Sequence, residues 1–172
     1  MPTERPNAAQ VYRQLAPPVL GYLRSERVPD AEDVLGEVFL QVARDIGRFR
    51  GDDGALRRWV FSIAHNRAVD AHRRAARERG RLSELPAEAP AGAVEVPAEL
   101  VDPTLVDALS ALSAEQREVL VLRFVADLSL EAVARITGRR VGAVKALQHR
   151  GLESLRRALG GAAGEPPEPF GA

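Results

Sequence analysis

Residues 129–151 read SLEAVARITGRRVGAVKALQHRG, and the spacing of apolar residues in this run predicts two short helices joined by a tight turn. Ser129 can accept a hydrogen bond from the first turn, and Glu131 sits where the positive end of a helix dipole favours an acid. Val133, Ala134 and Ile136 then give one apolar face. Gly138 stands where a left-handed residue is needed to end that helix. A second helix is expected from about Val141. At 100° per residue, Val144, Leu147, Gly151 and Leu155 fall on one side, and Lys145, Ala146, His149 and Arg150 on the other. Two short helices with a glycine in the turn are the helix-turn-helix arrangement, and the second helix packs one face while presenting a cationic one. Such a face can lie in the major groove, with Arg139 and Arg140 just before it in reach of phosphates. The alternative is a solvated basic face on an ordinary helical hairpin, and His149 alone reads equally as a surface imidazole.

Outward from this run, helical spacing continues and no stretch alternates with period two for long. Val34, Leu35, Val38, Phe39 and Val42 predict a helix starting near Pro29-Asp30, and Leu56, Trp59, Val60 and Ile63 predict another that continues through an Arg-rich run to about Arg79. Leu105, Leu109 and Leu112 predict a short helix after Pro103, and Val119, Leu120, Leu122 and Phe124 a further one. Arg48–Gly54 reads as a loop. Pro17-Pro18 should kink or split the first helix. Asn66 and Asp70 extend the apolar spacing of their helix and are expected to be partly buried. Trp59 reads as a core residue more than as a base-stacking one. The chain is therefore expected to be all-α: two small helical domains, 6–81 and 103–160, joined by a flexible acidic linker at 82–102, with a disordered tail at 161–172.

Charge separates along the same boundaries. The 172 residues carry 24 Lys+Arg and 24 Asp+Glu, yet residues 44–81 hold eleven Arg against five acids, and residues 82–107 hold six acids and no base. Residues 108–160 have nine bases and five acids. Two basic blocks flanking an acidic connector point to a polyanionic partner in spite of a formal charge of zero. With no Cys, disulfide frameworks, zinc ribbons and thiol catalysis are excluded. No apolar run approaches the roughly 20 residues of a membrane span, and Met1–Gln10 lacks the order of a signal peptide, so a cytoplasmic protein without membrane insertion is expected. Three His, with His65 and His72 seven apart on one helix and no nucleophile or phosphate-loop motif, give no enzyme and call for no cofactor.

Several runs taken in order resemble the sigma-70 family of bacterial RNA polymerase sigma factors, in its compact extracytoplasmic-function (ECF) group. They are Asp30-Ala-Glu-Asp-Val-Leu-Gly-Glu-Val-Phe-Leu40, Phe49-Arg-Gly-Asp52, Arg58-Trp-Val-Phe-Ser-Ile-Ala-His-Asn66, Leu112–Arg123 and Val141–Arg150. The resemblance implies a promoter-specificity subunit whose partners are core RNA polymerase, through its β′ clamp helices and β flap, and promoter DNA. An anti-sigma factor, which sequesters many members of the family, is a further candidate partner. By position, Asp33, Glu37 and Gln41 would dock on the clamp helices. Phe49, Arg50, Gly51 and Asp52 with Asn66 would hold a base flipped from the −10 element, and Arg67, Arg73, Arg74 and Arg77 would hold phosphates of melting DNA. Arg139, Arg140, Lys145, Ala146, His149 and Arg150 would meet the −35 element. The linker would run through the polymerase channels. Gly36, Ser62, Ala143 and Ala146 depart from the family's usual residues. The runner-up is a stand-alone helix-turn-helix regulator with an N-terminal partner domain. A loose tether between the domains implies that the free chain binds promoter duplex weakly.

Overall fold

The computed structural model describes residues 6–82 and 103–162. The linker stretch from 83 to 102 and the tail from 163 onward lie outside them. Helix α1 spans Ala8–Ser25, α2 Ala31–Asp45 and α3 Asp53–Arg81; α4 spans Pro103–Ser110, α5 Ala114–Leu120, α6 Leu130–Thr137 and α7 Val141–Ala162. A 3-10 turn, Ile46–Arg48, follows α2. The described residues contain no strand, and none of their helices is long and apolar enough to cross a membrane.

The helix starts are set by local chemistry. Asn7 accepts from Ala9 N and Gln10 N at 2.8 and 3.1 Å while the Gln10 side chain returns to Asn7 N. Ser113 and Gln116 form the same reciprocal box at α5. Asp52 caps α3 by accepting from Ala55 N at 2.8 Å, and Ser129 caps α6 through Ala132 N at 3.1 Å. Helix α1 closes with Val28 N on Leu23 O at 3.0 Å and Arg27 N on Arg24 O at 2.9 Å, which places Arg27 in the left-handed region at φ 54°. A residue with a Cβ is used there where glycine is usual.

Helices α1, α2 and α3 enclose one core: Val11, Val19, Tyr22, Leu23, Val38, Val42, Val60, Phe61 and Ala64 are all but inaccessible. The α4–α7 unit centres on Val119, Leu122, Val133 and Val144. Gly151 of α7 lies so close to α5 that a Cβ there would sit 3.0 Å from the Leu120 side chain, which allows the two helices to approach.

Three expectations are corrected. Helix α1 passes through Pro17 and Pro18 as one element. Each proline removes a backbone donor, but the carbonyls released belong to Arg13 and Gln14, which face water, while Val11, Leu15, Val19 and Leu23 hold both halves in the core. The helix expected from Val119, Leu120, Leu122 and Phe124 ends as a regular α-helix at Leu120, and Phe124 is 58 % exposed. The backbone widens after α5, with Ala126 N bonded to Val121 O five residues back at 3.0 Å, and this extra residue rotates Phe124 outward. Finally, the two units are not apart. α1 and α3 meet α5, the widened turn and α6, and buried residues of both units form one contiguous cluster.

Candidate nucleic-acid and polymerase interface

Three surfaces carry the candidate residues. On α2, Asp33, Glu37 and Leu40 project within about 60° of one another at 100° per residue. Asp33 is exposed, and Leu40 is 60 % exposed. The half-buried Glu37 lies 3.8 Å from Arg67 and 3.6 Å from Arg74, and Gln41 accepts from Arg67 Nη2 at 2.9 Å. Thus Arg67 and Arg74, expected on the DNA side, are the partners of two expected docking residues. The acidic face of α2 and the basic face of α3 form one continuous surface. Between them runs a groove of about 270 Å³ lined by Asp30, Asp33, Glu37, Arg74 and Glu78 among others. Ion pairs this exposed contribute little stability, so they can be exchanged for a partner's charges. Leu40 was not singled out from the sequence. A large apolar residue at an outward helix angle, in line with Asp33 and Glu37, was the signal available.

The second surface is the loop before α3. Phe49 is half-buried and stacks on Trp59, with ring centroids 5.2 Å apart and planes 24° off parallel. Trp59 is therefore both at the core edge and part of an aromatic platform. Arg50 folds back to donate from Nη1 to Gly47 O at 3.1 Å and Phe49 O at 2.7 Å, and Asp52 is spent on the α3 cap. These two residues shape the loop. A Cβ on Gly51, at φ 157°, would sit 2.8 Å from Ala55 Cβ and 3.0 Å from the Phe49 ring. Gly51→Val should therefore displace Phe49 from Trp59 without unfolding the helices. The check is a red shift of tryptophan emission, as Trp59 loses the ring that covers it, at unchanged far-ultraviolet circular dichroism, with the midpoint of urea unfolding falling by an amount equivalent to about 1–3 kcal/mol.

Asn66 and Asp70, expected to be partly buried, are both exposed. The buried face of α3 is Leu56, Val60, Ile63, Ala64, Ala68 and Ala71, and Asn66 lies about 120° round from Val60. Arg73 is 4.0 Å from Asp70, and Arg77 lies along a second shallow groove with Arg74 and Arg81.

The third surface is α7. Val144, Leu147 and Gly151 are buried, while Lys145, Ala146, His149 and Arg150 are all exposed, as the angular reading requires. Gly138 takes the left-handed conformation, φ 68°. Arg123 fixes α7 from behind, donating Nε to Gln148 Oε1 at 2.9 Å. Arg140 is exposed. Arg139 is not free for phosphate: its Nη2 lies 3.2 Å from Glu115 and 4.0 Å from Glu118.

Known families match both units in order. The Sigma-70 region 2 profile covers residues 11–78 and the Sigma-70 region 4 profile residues 108–157. The chain belongs to the sigma-70 family, in its ECF group. It is 36 % identical over 130 residues to the ECF RNA polymerase sigma factor SigD of Mycobacterium tuberculosis, covering 73 % of this chain and 61 % of SigD. The chain thus spans less than two thirds of that relative's length. It is 32 % identical over 158 residues to ECF sigma factor ShbA of Streptomyces griseus, covering 81 % of each. Among solved structures, the sigma factor RpoE of Bartonella quintana, in co-crystals with the anti-sigma factor NepR, superposes with a TM-score of 0.71 at 25 % identity, over 88 % of this chain and 96 % of that one.

Proposed function

We propose that the chain is a promoter-specificity subunit that binds core RNA polymerase in the cytoplasm and directs initiation, with no catalysis of its own. The observation that carries this reading is the pairing, on one sigma-70 chain, of an exposed acidic and apolar face on α2 with an exposed cationic face on α7. Residues 6–81 and 103–160 are the two working domains. Asp33 and Glu37, with Leu40 and Gln41, dock on the β′ clamp helices, and the α4–α7 unit meets the β flap. Lys145, Ala146, His149 and Arg150 face the −35 major groove, with Arg140 on phosphate. Phe49, held over Trp59, and Asn66 receive a base extruded from the −10 element. Extrusion costs a few kcal/mol, offset by stacking and edge contacts in the pocket. Arg67, Arg73, Arg74 and Arg77 supply phosphate contacts, so binding weakens steeply with salt. An anti-sigma factor is a fitting partner, because RpoE is seen with NepR in the fold this chain shares.

The test is transcription in vitro with purified chain, sigma-free core polymerase and fragmented genomic DNA from the source organism, followed by sequencing of RNA 5′ ends. Defined start sites sharing −10 and −35 elements, absent without the chain, are expected. A chain that neither binds core nor initiates with it is instead a stand-alone regulator.

A further inference from the structure

The contact between the two units is lined with ionisable side chains, and Glu26, at the C-terminal end of α1, sits among them. Its Oε1 is buried and has no hydrogen-bond partner. From α5, across the contact, Glu118 and Arg117 face it. Arg117 is 5 % exposed and donates Nε to the Ser25 carbonyl at 2.7 Å. One oxygen of Glu118 lies 3.1 Å from His65 Nδ1 of α3 and accepts from the Tyr22 hydroxyl of α1 at 3.5 Å. The other lies 4.0 Å from Arg139, which also meets Glu115 at 3.2 Å. Tyr22 Oη is itself 3.0 Å from His65 Nδ1. On the α3 side, His72 Nε2 meets the Glu26 carbonyl oxygen at 3.0 Å. Arg27, next along the chain, is exposed and bears on Arg117.

These surroundings favour a neutral Glu26. A carboxylate taken out of water with one oxygen unpaired loses its hydration without a substitute. Burial is the main cause that raises its pKa to about 8; the Glu118 carboxylate adds to it and the Arg117 guanidinium opposes it. Both of those charges belong to α5, in the other unit. The proton on Glu26 is therefore coupled to whether that unit is in place. Burial first, and then the carboxylates of Glu118 and Glu26, also hold the Tyr22 phenol well above its usual range. Tyr22 thus stays a proton donor to Glu118 while Glu26 titrates.

We propose that the Glu26 carboxyl is a proton-operated switch on the contact between the two units: neutral, it lets them stay together, and ionised, it drives them apart. With the units apart, the group regains water and titrates near its ordinary 4.5. Below that pH it is neutral in both arrangements. Between 4.5 and 8 it is neutral only when the units are together, so closing takes up a proton. The equilibrium constant for closing then falls by up to about tenfold per pH unit. Above 8 a carboxylate lies beside Glu118 with Arg117 to offset it, and the loss is complete.

By the same linkage, a partner that binds the separated units expels the proton. The −35 and −10 elements, about 25 base steps apart, are separated by about 85 Å at 3.4 Å per step. A compact chain of this length is roughly 40 Å across, so core polymerase must hold the units apart. Forming that assembly therefore releases the Glu26 proton and is favoured as pH rises from neutrality toward 8. This consequence rests on the sigma-factor reading; the switch in the free chain does not.

The chain has no cysteine, so Gln14→Cys with Ala111→Cys, exposed positions on the two units, gives the full chain one donor and one acceptor dye. Energy transfer and far-ultraviolet circular dichroism are followed together across neutral and alkaline pH, without polymerase or DNA. The labelled parent should lose transfer with a midpoint between about pH 7 and 9 at unchanged helicity. Glu26→Gln, which carries no titrating proton, should keep its transfer throughout. Constant transfer in the parent overturns the switch, and equal loss in both chains takes the titrating group away from Glu26. Helicity lost together with transfer overturns it as well, because the proton would then hold α1–α3 folded instead of holding the units together. The linked part is read by calorimetric titration of core polymerase with each chain at neutral pH, in two buffers of different ionisation enthalpy. The parent should release about one proton more than Glu26→Gln. Equal release from two chains that both bind overturns the coupling to polymerase and leaves the switch of the free chain. Failure of both to bind overturns the sigma-factor reading instead.

Discussion

A chain carrying Asp33→Arg with Leu40→Asp should fold like its parent and bind core RNA polymerase at least about 100-fold more weakly. Both side chains are exposed on α2, Leu40 at 60 %, so neither substitution empties a cavity or strands a buried charge. Surface changes of this kind usually move stability by less than about 0.5 kcal/mol. The effect on docking is of another size. On the docking proposed above, Leu40 is an apolar anchor, and such anchors contribute about 2 kcal/mol or more; reversing Asp33 there replaces attraction for a cationic partner by repulsion. At about 1.4 kcal/mol per tenfold, the pair exceeds two decades. Glu37 is the poorer site for this test, because reversing it also confronts Arg67 and Arg74 across the groove. The measurement is a titration of fluorescent core with each chain, alongside urea unfolding. Parental affinity in a folded double variant would remove α2 from the docking surface. Unchanged affinity with Asp33→Arg alone, but loss with Leu40→Asp, would make the contact apolar.

What the sequence made legible was whatever depends on helical period and on capping. The all-α class, the Ser129 cap, the left-handed Gly138 and the two faces of α7 all follow from spacing within one helix, and the structure has them. The errors have two physical sources: what packs from elsewhere in the chain, and a local widening of the backbone. Asn66 and Asp70 were placed on the apolar face because Ile63 precedes them at helical spacing. The buried arc of α3 instead runs the other way round the helix through Ala64, Ala68 and Ala71, small residues that let neighbours close in. Phe124 continues an apolar run in sequence, but one extra backbone residue in the turn reverses its direction. Arg139 precedes α7 with no acid close to it in sequence, and only the fold brings Glu115 and Glu118 beside it. The hydrogen bond from Tyr22 to Glu118 spans 96 positions, and no local pattern announces such a meeting.

Stability of the chain should fall as pH rises from about 5 to 8, and Glu26→Gln should abolish much of that slope. Glu26 caps the end of α1 with one carboxylate oxygen buried and unpaired. Burial is the main cause, with the Glu118 carboxylate adding to it and the Arg117 guanidinium opposing it, that raises its pKa from 4.5 to about 8. The Glu26 backbone carbonyl is engaged separately by His72 Nε2 at 3.0 Å. The sign follows from proton counts. Below pH 4.5 the folded and unfolded chains both hold the proton, and the contribution is complete. Between 4.5 and 8 the unfolded chain releases it while the folded chain keeps it, so each unit of pH costs up to about 1.4 kcal/mol. Above 8 both are ionised and the contribution has gone. The full swing is on the order of a few kcal/mol, comparable with a large part of a small domain's net stability. A glutamine keeps the shape and carries no titrating proton. Urea unfolding at pH 5, 6.5, 8 and 9 should therefore show the variant gaining on the parent from 5 to about 8 and levelling off beyond. Parallel curves for the two chains would mean that Glu26 is solvated in the folded state and that the burial argument for it is wrong.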